Sequence, residues 1–245
     1  MKISINEKRS LEFYFLMIAL GSIQAYRYNC IDLNILESLF YRMDMLELIN
    51  EEQLSSELKE ITFQGMDLED VESWVNGIIP TTLLVDTINS IDFECKALLL
   101  DPVYRPCFKT YSLFEEPNRD SFTIKFNSVL SFEYIMTIFI LGYTLFLVEL
   151  DEQFSEAYLS FKDNIINKIL SLDYDYSEEF DEVITLFDRI IINDDRLNVK
   201  RQKLYLNIIN INIRDYFSYI KKDKVEVDFS FKKSSGLEYY VTLSK

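Results

Sequence analysis

YIMTIFILGYTLFLV, residues 134–148, is the longest uncharged stretch of the chain, fifteen residues closed by Glu133 on one side and Glu149 on the other. A bilayer span needs about twenty apolar residues. The segment is therefore expected to be a core helix, apolar all round and wrapped by other elements rather than amphipathic on a surface. Around it the pattern stays helical, near 128–150, 151–172, 177–193 and 198–221. Beyond these, Val225, Val227, Phe229 and Phe231 alternate strictly, and after KKSSG a second run carries Leu237, Tyr239, Val241 and Leu243. Alternation of period two on both sides of a short polar loop is a hairpin pattern. Phe108 to Phe114 and Ser121 to Asn127 read as another pair of strands around EEPNRD, the latter with Phe122, Ile124 and Phe126 on one face.

The first hundred residues read as helices with short breaks. The first runs from about Asn6 to Tyr28, with Ser4 and Glu7 placed as a capping box and Leu11, Phe15, Ile18, Ser22 and Ala25 as its stripe. This run also loosely imitates a signal peptide, but Glu12 interrupts the apolar segment, and a retained, packed helix is expected. Asp32 caps a second helix with Leu33, Leu36, Leu39, Phe40 and Met43, and Asn50 begins a third through Leu54, Leu58 and Ile61, closed by Gly65. Asp67 starts a short helix through Val71 and Trp74, and a last one follows Pro80 with Leu84, Ile88, Ile91 and Cys95 on one face. No internal repeat is evident. The expected fold is α+β and predominantly α-helical: an N-terminal helical bundle over 1–100, then a helical domain over 101–245 with β-hairpins near 108–127 and 224–243. The boundary rests on Asp101, Pro102, Pro106 and Pro117, which place three of the four prolines just past residue 100.

Composition bounds the chemistry. The 245 residues contain no histidine, which removes imidazole-activated nucleophiles, histidine general bases and histidine-ligated metals. The five glycines, Gly21, Gly65, Gly77, Gly142 and Gly236, are too scattered for a phosphate-cradling loop. Cys30, Cys95 and Cys107 have no CxxC spacing and are expected as buried thiols of a reducing cytosol. In DYDYSEEFDE, Asp173 and Asp175 have alternate spacing, but the loop glycine and terminal glutamate of a calcium-binding EF-hand are missing. Asp194 and Asp195 are explained by a turn more simply than by magnesium. No catalytic, cofactor-binding or metal-binding residue is assigned, and a non-enzymatic protein is expected.

The charge is the functional clue. Residues 1–100 carry 7 Lys and Arg against 17 Asp and Glu (net −10), residues 101–196 carry 8 against 19 (net −11), and residues 197–245 carry 10 against 5 (net +5), giving the net charge of −16. An acidic body of this kind repels nucleic acid and anionic membranes and steers basic proteins toward it. Two clusters are the candidate contact residues. The first is Glu69, Asp70 and Glu72, beside Asp67; the second is Asp173, Asp175, Tyr176, Glu178, Glu179, Asp181 and Glu182, where carboxylates mix with the aromatic anchors Tyr174, Tyr176 and Phe180. Against each stands the plainer reading of a helix start or a solvated loop. The basic positions Lys200, Arg201 and Lys203 are expected to pair with the acidic body along one amphipathic helix.

Three stretches, the opening helix LEFYFLMIALGSIQAYRYNCID, the segment QGMDLEDVESWV and the helix after Pro80, resemble DUF3969, a family of short bacterial proteins of unknown function. The resemblance covers about two fifths of the chain and leaves the C-terminal half unmatched. Similar proteins stand beside polymorphic toxins, so the resemblance implies an immunity or antitoxin role: a cytoplasmic protein that binds a basic toxin, a nuclease being the natural fit because nucleases must hold phosphates. Self-association is compatible with that role. Two readings from other classes stand beside it, a carboxylate-dependent, metal-assisted hydrolase and a non-catalytic oligomerisation or regulatory module.

Overall fold

The computed structural model describes residues 1–68, 82–118, 121–150, 153–190, 196–222, 227–233 and 238–243. Strand β1 (Lys2–Ile5) leads into helices α1 (Lys8–Arg27), α2 (Leu33–Leu39), α3 (Met43–Glu51), α4 (Ser56–Met66) and α5 (Thr82–Leu99). A tight turn at Pro102–Tyr104 opens α6 (Arg105–Thr110), and β2 (Phe122–Phe126) precedes the long α7 (Val129–Glu149). Helix α8 (Phe154–Phe161) widens through Lys162–Ile166 into α9 (Asn167–Ser171), followed by α10 (Glu178–Thr185), α11 (Arg196–Lys222) and the hairpin β3 (Val227–Lys233) and β4 (Glu238–Leu243). The fold is predominantly helical α+β, with one four-stranded antiparallel sheet in the order β1-β2-β3-β4.

Helix α7 is the core helix that its uncharged sequence demands. It is long and apolar enough to cross a membrane, yet 83% of its most apolar window is buried inside the fold. Its chief neighbour is α1, itself buried along most of its length. The two helices meet backbone to backbone. A Cβ on Gly21 would lie 2.0 Å from the Ile138 carbonyl oxygen, and a Cβ on Gly142 would lie 2.0 Å from the Met17 carbonyl oxygen. Each glycine is thus the absence of a side chain where the other helix's main chain passes. Gly65 serves a related purpose within α4, where a Cβ would fall 1.9 Å from a ring carbon of the buried Tyr41.

The sheet lays its apolar face on this helix pair. Ile3 pairs with Ile124, Phe126 with Phe229, and Phe231 with Tyr239. Phe15 of α1 touches Phe122 and Phe231 at 5.8 and 6.0 Å between ring centroids, and Phe132 of α7 meets Phe126 edge-on at 5.3 Å. Such tilted and edge-to-face contacts suit the ring quadrupoles.

Several expectations are corrected. The segment 108–114 is not a strand of a hairpin with 121–127. Through Thr110 it is α6, where Cys107 and Phe108 are buried together with Tyr111 just past the helix end, and Phe114 makes a single bridge, to Ser4. Strand β2 pairs instead with β1 and β3, partners remote in sequence. Ser4 is no cap either: it lies in β1 opposite Thr123, and Glu7 at the helix start makes no side-chain capping bond. Asn50 falls in the last turns of α3, Ser55 begins α4, and Gly65 lies inside α4 rather than beyond its end. Asp32 does cap, accepting from the Ile35 amide at 2.9 Å. The hairpin near 224–243 forms as read.

The two units expected on either side of residue 100 share one core. The buried cluster runs from Ile3 to Leu243 without a break, and both the helix crossing and the sheet join residues of the first unit to residues of the second. A fragment ending at residue 100 would expose the α1 face that α7 covers and leave β1 without β2. It is expected not to persist as a folded monomer. Circular dichroism combined with sedimentation should find it unfolded or self-associated; a monomer with a cooperative melt would restore the boundary at residue 100.

Candidate functional site

The first acidic cluster can be placed only at its edge. Asp67 stands just past the end of α4, in helical conformation, with Leu68 after it again helical, and the rest of the short helix expected to start at Asp67 lies outside the described residues. Glu69, Asp70 and Glu72 lie outside the described residues, as do Asp194 and Asp195.

The second cluster lies largely at the surface, over residues 173–182. Helix α10 starts at Glu178 because Ser177 caps it, its hydroxyl oxygen accepting from the Phe180 amide at 3.3 Å. Phe180, Val183 and Ile184 turn inward and are buried, which leaves Glu178, Asp181 and Glu182 exposed and Glu179 half-buried. Asp173 and Asp175 are exposed on the segment that leads into the helix. Among the described residues none of these six carboxylates has an ion-pair partner. The aromatic residues divide the labour. Tyr176 is half-buried, stacked on Phe132 and tilted against Phe180 at 5.3 Å, with its hydroxyl donating to the Ile169 carbonyl at 3.4 Å. Tyr174 packs edge-on against Tyr176 and stays 43% exposed, so it is the aromatic face that a partner could cover. Tyr176 anchors the segment from beneath.

What fixes this surface in place is a residue that charge patterning did not single out. Glu133 of α7 is buried, and its carboxylate accepts three bonds: from the Ser177 amide at 2.7 Å, from the Ser177 hydroxyl at 2.8 Å and from the Tyr216 hydroxyl of α11 at 3.5 Å. A buried carboxylate without partners would be expensive, and hydrogen bonds from donors held by the fold offset that cost. Burial nevertheless prevails and holds the Glu133 carboxyl above its ordinary pKa, against the lowering effect of the Ser177 and Tyr216 bonds and with the nearby Glu179 adding to the rise. The one sequence signal for this role is its position, a lone acid at the head of an otherwise uncharged helix.

Other chemistry is sparse among the described residues. No three His, Cys, Asp or Glu side chains converge as a metal site requires. Cys30, Cys95 and Cys107 are buried, and burial pushes the Cys107 thiol up to about 11 and the Cys95 thiol higher still, away from the thiolate form that reacts. On α11, Lys200 and Arg201 face solvent, and Arg214 lies over the Tyr28 ring at 4.8 Å. A shallow cleft of about 440 Å³ lies between Lys2, Lys125 and Tyr174 at one margin of the acidic surface.

Residues 6–107 match the model of the family described as DUF3969, protein of unknown function. No curated protein and no solved structure matches the chain.

Because the folded Glu133 carboxyl has a raised pKa, folding takes up a proton between the unfolded value and the folded one. Its contribution to stability is therefore fully present below the unfolded pKa and is lost as pH rises through the folded pKa. A Glu133→Gln variant cannot ionise and lacks this component. Denaturant titrations from pH 4 to pH 7 should show wild type losing ground to Glu133→Gln as pH rises; a pH-independent difference would mean that the carboxyl titrates normally.

Proposed function

We propose that this chain is a cytoplasmic bacterial immunity protein, which neutralises a basic protein toxin by binding it directly through an acidic surface. The observation that carries the reading is the face formed by Asp173, Asp175, Glu178, Glu179, Asp181 and Glu182: six carboxylates within ten residues, without an ion-pair partner among the described residues, beside the exposed ring of Tyr174. Unpaired surface carboxylates of one sign raise the local attraction for Lys and Arg, and an exposed tyrosine adds rigid contact area of the kind that anchors interfaces. The anchoring of Ser177 by Glu133 keeps this face in one geometry before a partner arrives, which lowers the ordering cost of association. Glu69, Asp70 and Glu72, outside the described residues, are the other candidate contact residues. The absence of histidine and of a glycine-rich phosphate loop supports a binding role over an enzymatic one. The negative body argues against nucleic acid and anionic membranes as partners.

The test begins with a pull-down using the protein encoded by the adjacent upstream gene. With a partner in hand, charge reversal at Glu179, Asp181 and Glu182 is expected to slow association about tenfold or more at low salt while the chain stays folded, because Asp181 and Glu182 are exposed and Glu179 is only half-buried. Added salt should slow the wild-type association steeply and affect dissociation less, since the Debye length falls from about 8 Å at physiological ionic strength to about 3 Å at 1 M. Salt-insensitive association that tolerates the triple reversal, and a corresponding reversal at Glu69, Asp70 and Glu72, would exclude electrostatic capture.

A further inference from the structure

The architecture around the helix crossing repeats itself. Shifting the chain by 121 residues takes Ile3 to Ile124, Asn6 to Asn127, Ser10 to Ser131, Glu12 to Glu133, Leu20 to Leu141 and Gly21 to Gly142. These are six identities across the 27 residues from Met1 to Arg27, too few to stand out in the sequence, but the structure gives three of the pairs matching mechanical roles. Ile3 and Ile124 face each other in the sheet, with Lys2 opposite Lys125 and Ser4 opposite Thr123, so the pairing of β1 with β2 is symmetric about that central pair. Gly21 meets the Ile138 carbonyl and Gly142 meets the Met17 carbonyl at the same 2.0 Å, and 17 and 138 again differ by 121. Glu12 takes the Ser55 amide at 2.6 Å on one oxygen and the Tyr104 hydroxyl at 3.1 Å on the other, as Glu133 takes the Ser177 amide at 2.7 Å and the Tyr216 hydroxyl at 3.5 Å.

The correspondence extends outward. Ser55 caps α4 through the Leu58 amide, and Ser177 caps α10 through the Phe180 amide. Helix α5 packs on α4 and α1 as α11 packs on α10 and α7. Its buried Ile88, Ile91, Cys95 and Leu99 correspond, at a constant spacing of 118, to the buried Leu206, Ile209, Ile213 and Phe217. Even the clefts correspond: one is bordered by Met1, Asn127 and Tyr174, the other by Phe122, Asn6 and Glu52.

We propose that the chain is two copies of one unit joined in tandem, the second beginning near Phe122, and that the face of α1 around Gly21 is a self-association surface whose fitting partner is a second copy of the unit. The family model covers the first copy; the half it leaves unmatched is the second, with its surface changed and its mechanical positions kept. The helix crossing is then a dimer interface made intramolecular, with a twofold axis running between Ile3 and Ile124 and between Gly21 and Gly142. An isologous interface of this kind requires each surface to fit itself, which the reciprocal glycine contacts satisfy.

Full-length grafts test the proposal. One carries residues 10–21 in place of residues 131–142, making the two crossing segments identical; a second carries residues 131–142 in place of residues 10–21. Each has a control in which the graft is displaced by one residue, so that its glutamate and glycine miss their places. At least one in-register graft is expected to keep a single cooperative melt and slow hydrogen exchange at the amide bonded to the buried glutamate, Ser177 or Ser55, while the displaced grafts lose both. If neither in-register graft folds cooperatively, or if the displaced grafts do equally well, the two helices are not equivalent and the proposal falls.

Discussion

The close approach of α1 and α7 at Gly21 and Gly142 is the constraint on which the rest of the structure depends. Helices usually pack with their axes 8–10 Å apart, spaced by side chains; here carbonyl oxygens occupy the space that a methyl group would need on both helices. Each glycine in a helix interior gives up about 1 kcal/mol relative to alanine. The return is a long, close contact between two helices buried along most of their length, which provides the floor for the sheet through Phe15 and Phe132 and the wall for α5 and α11. An all-round apolar helix such as α7 would otherwise have no way to leave water.

Onto this frame the acidic outer helices are fastened by carboxylates from within. Glu12 reaches the start of α4 and Glu133 the start of α10, each occupying the amide of the capping serine with a buried charge-capable group. A short helix such as α10 carries four acids among its eight residues, and their mutual repulsion opposes packing. Its position near the helix start, where acids interact well with the exposed amides, and the bonds from Glu133 to Ser177 offset that repulsion. The surface charge that the proposed function requires is thus tied to a group at the head of the core helix.

Patterns of one period were legible in the chain, and relations between remote segments were not. Residues 134–148 read as a buried helix from the absence of charge alone, and β3 and β4 read as a hairpin because alternation extends over two runs separated by a short polar loop. Asp32 is legible because capping is local. Lys2–Ile5 is too short to show its period, and its strand character comes from Thr123 and Ile124 more than a hundred residues away. The apolar run after Pro106 fits strand or helix equally, and the burial of Cys107, Phe108 and Tyr111 against the core selects the helix. The acidic character of 173–182 was plain from composition, whereas the roles of Glu12 and Glu133 depend on which serine each reaches across the fold. Scattered glycines excluded phosphate loops but said nothing of the crossing, which needs the structure to bring Gly21 and Gly142 together.

A double-mutant cycle on Gly21→Ala and Gly142→Ala, followed by denaturant unfolding, tests the central claim most directly. Placing a methyl group 2.0 Å from a carbonyl oxygen forces the helices apart, so each single change is expected to destabilise the chain by about 1–3 kcal/mol. The same separation relieves both clashes. The double variant should therefore lose less than the sum of the singles, with a coupling on the order of 1 kcal/mol. If either alanine instead stabilises the protein by about the 1 kcal/mol that helix propensity alone would give, or if the two costs simply add, the crossing is not the contact that holds the fold together.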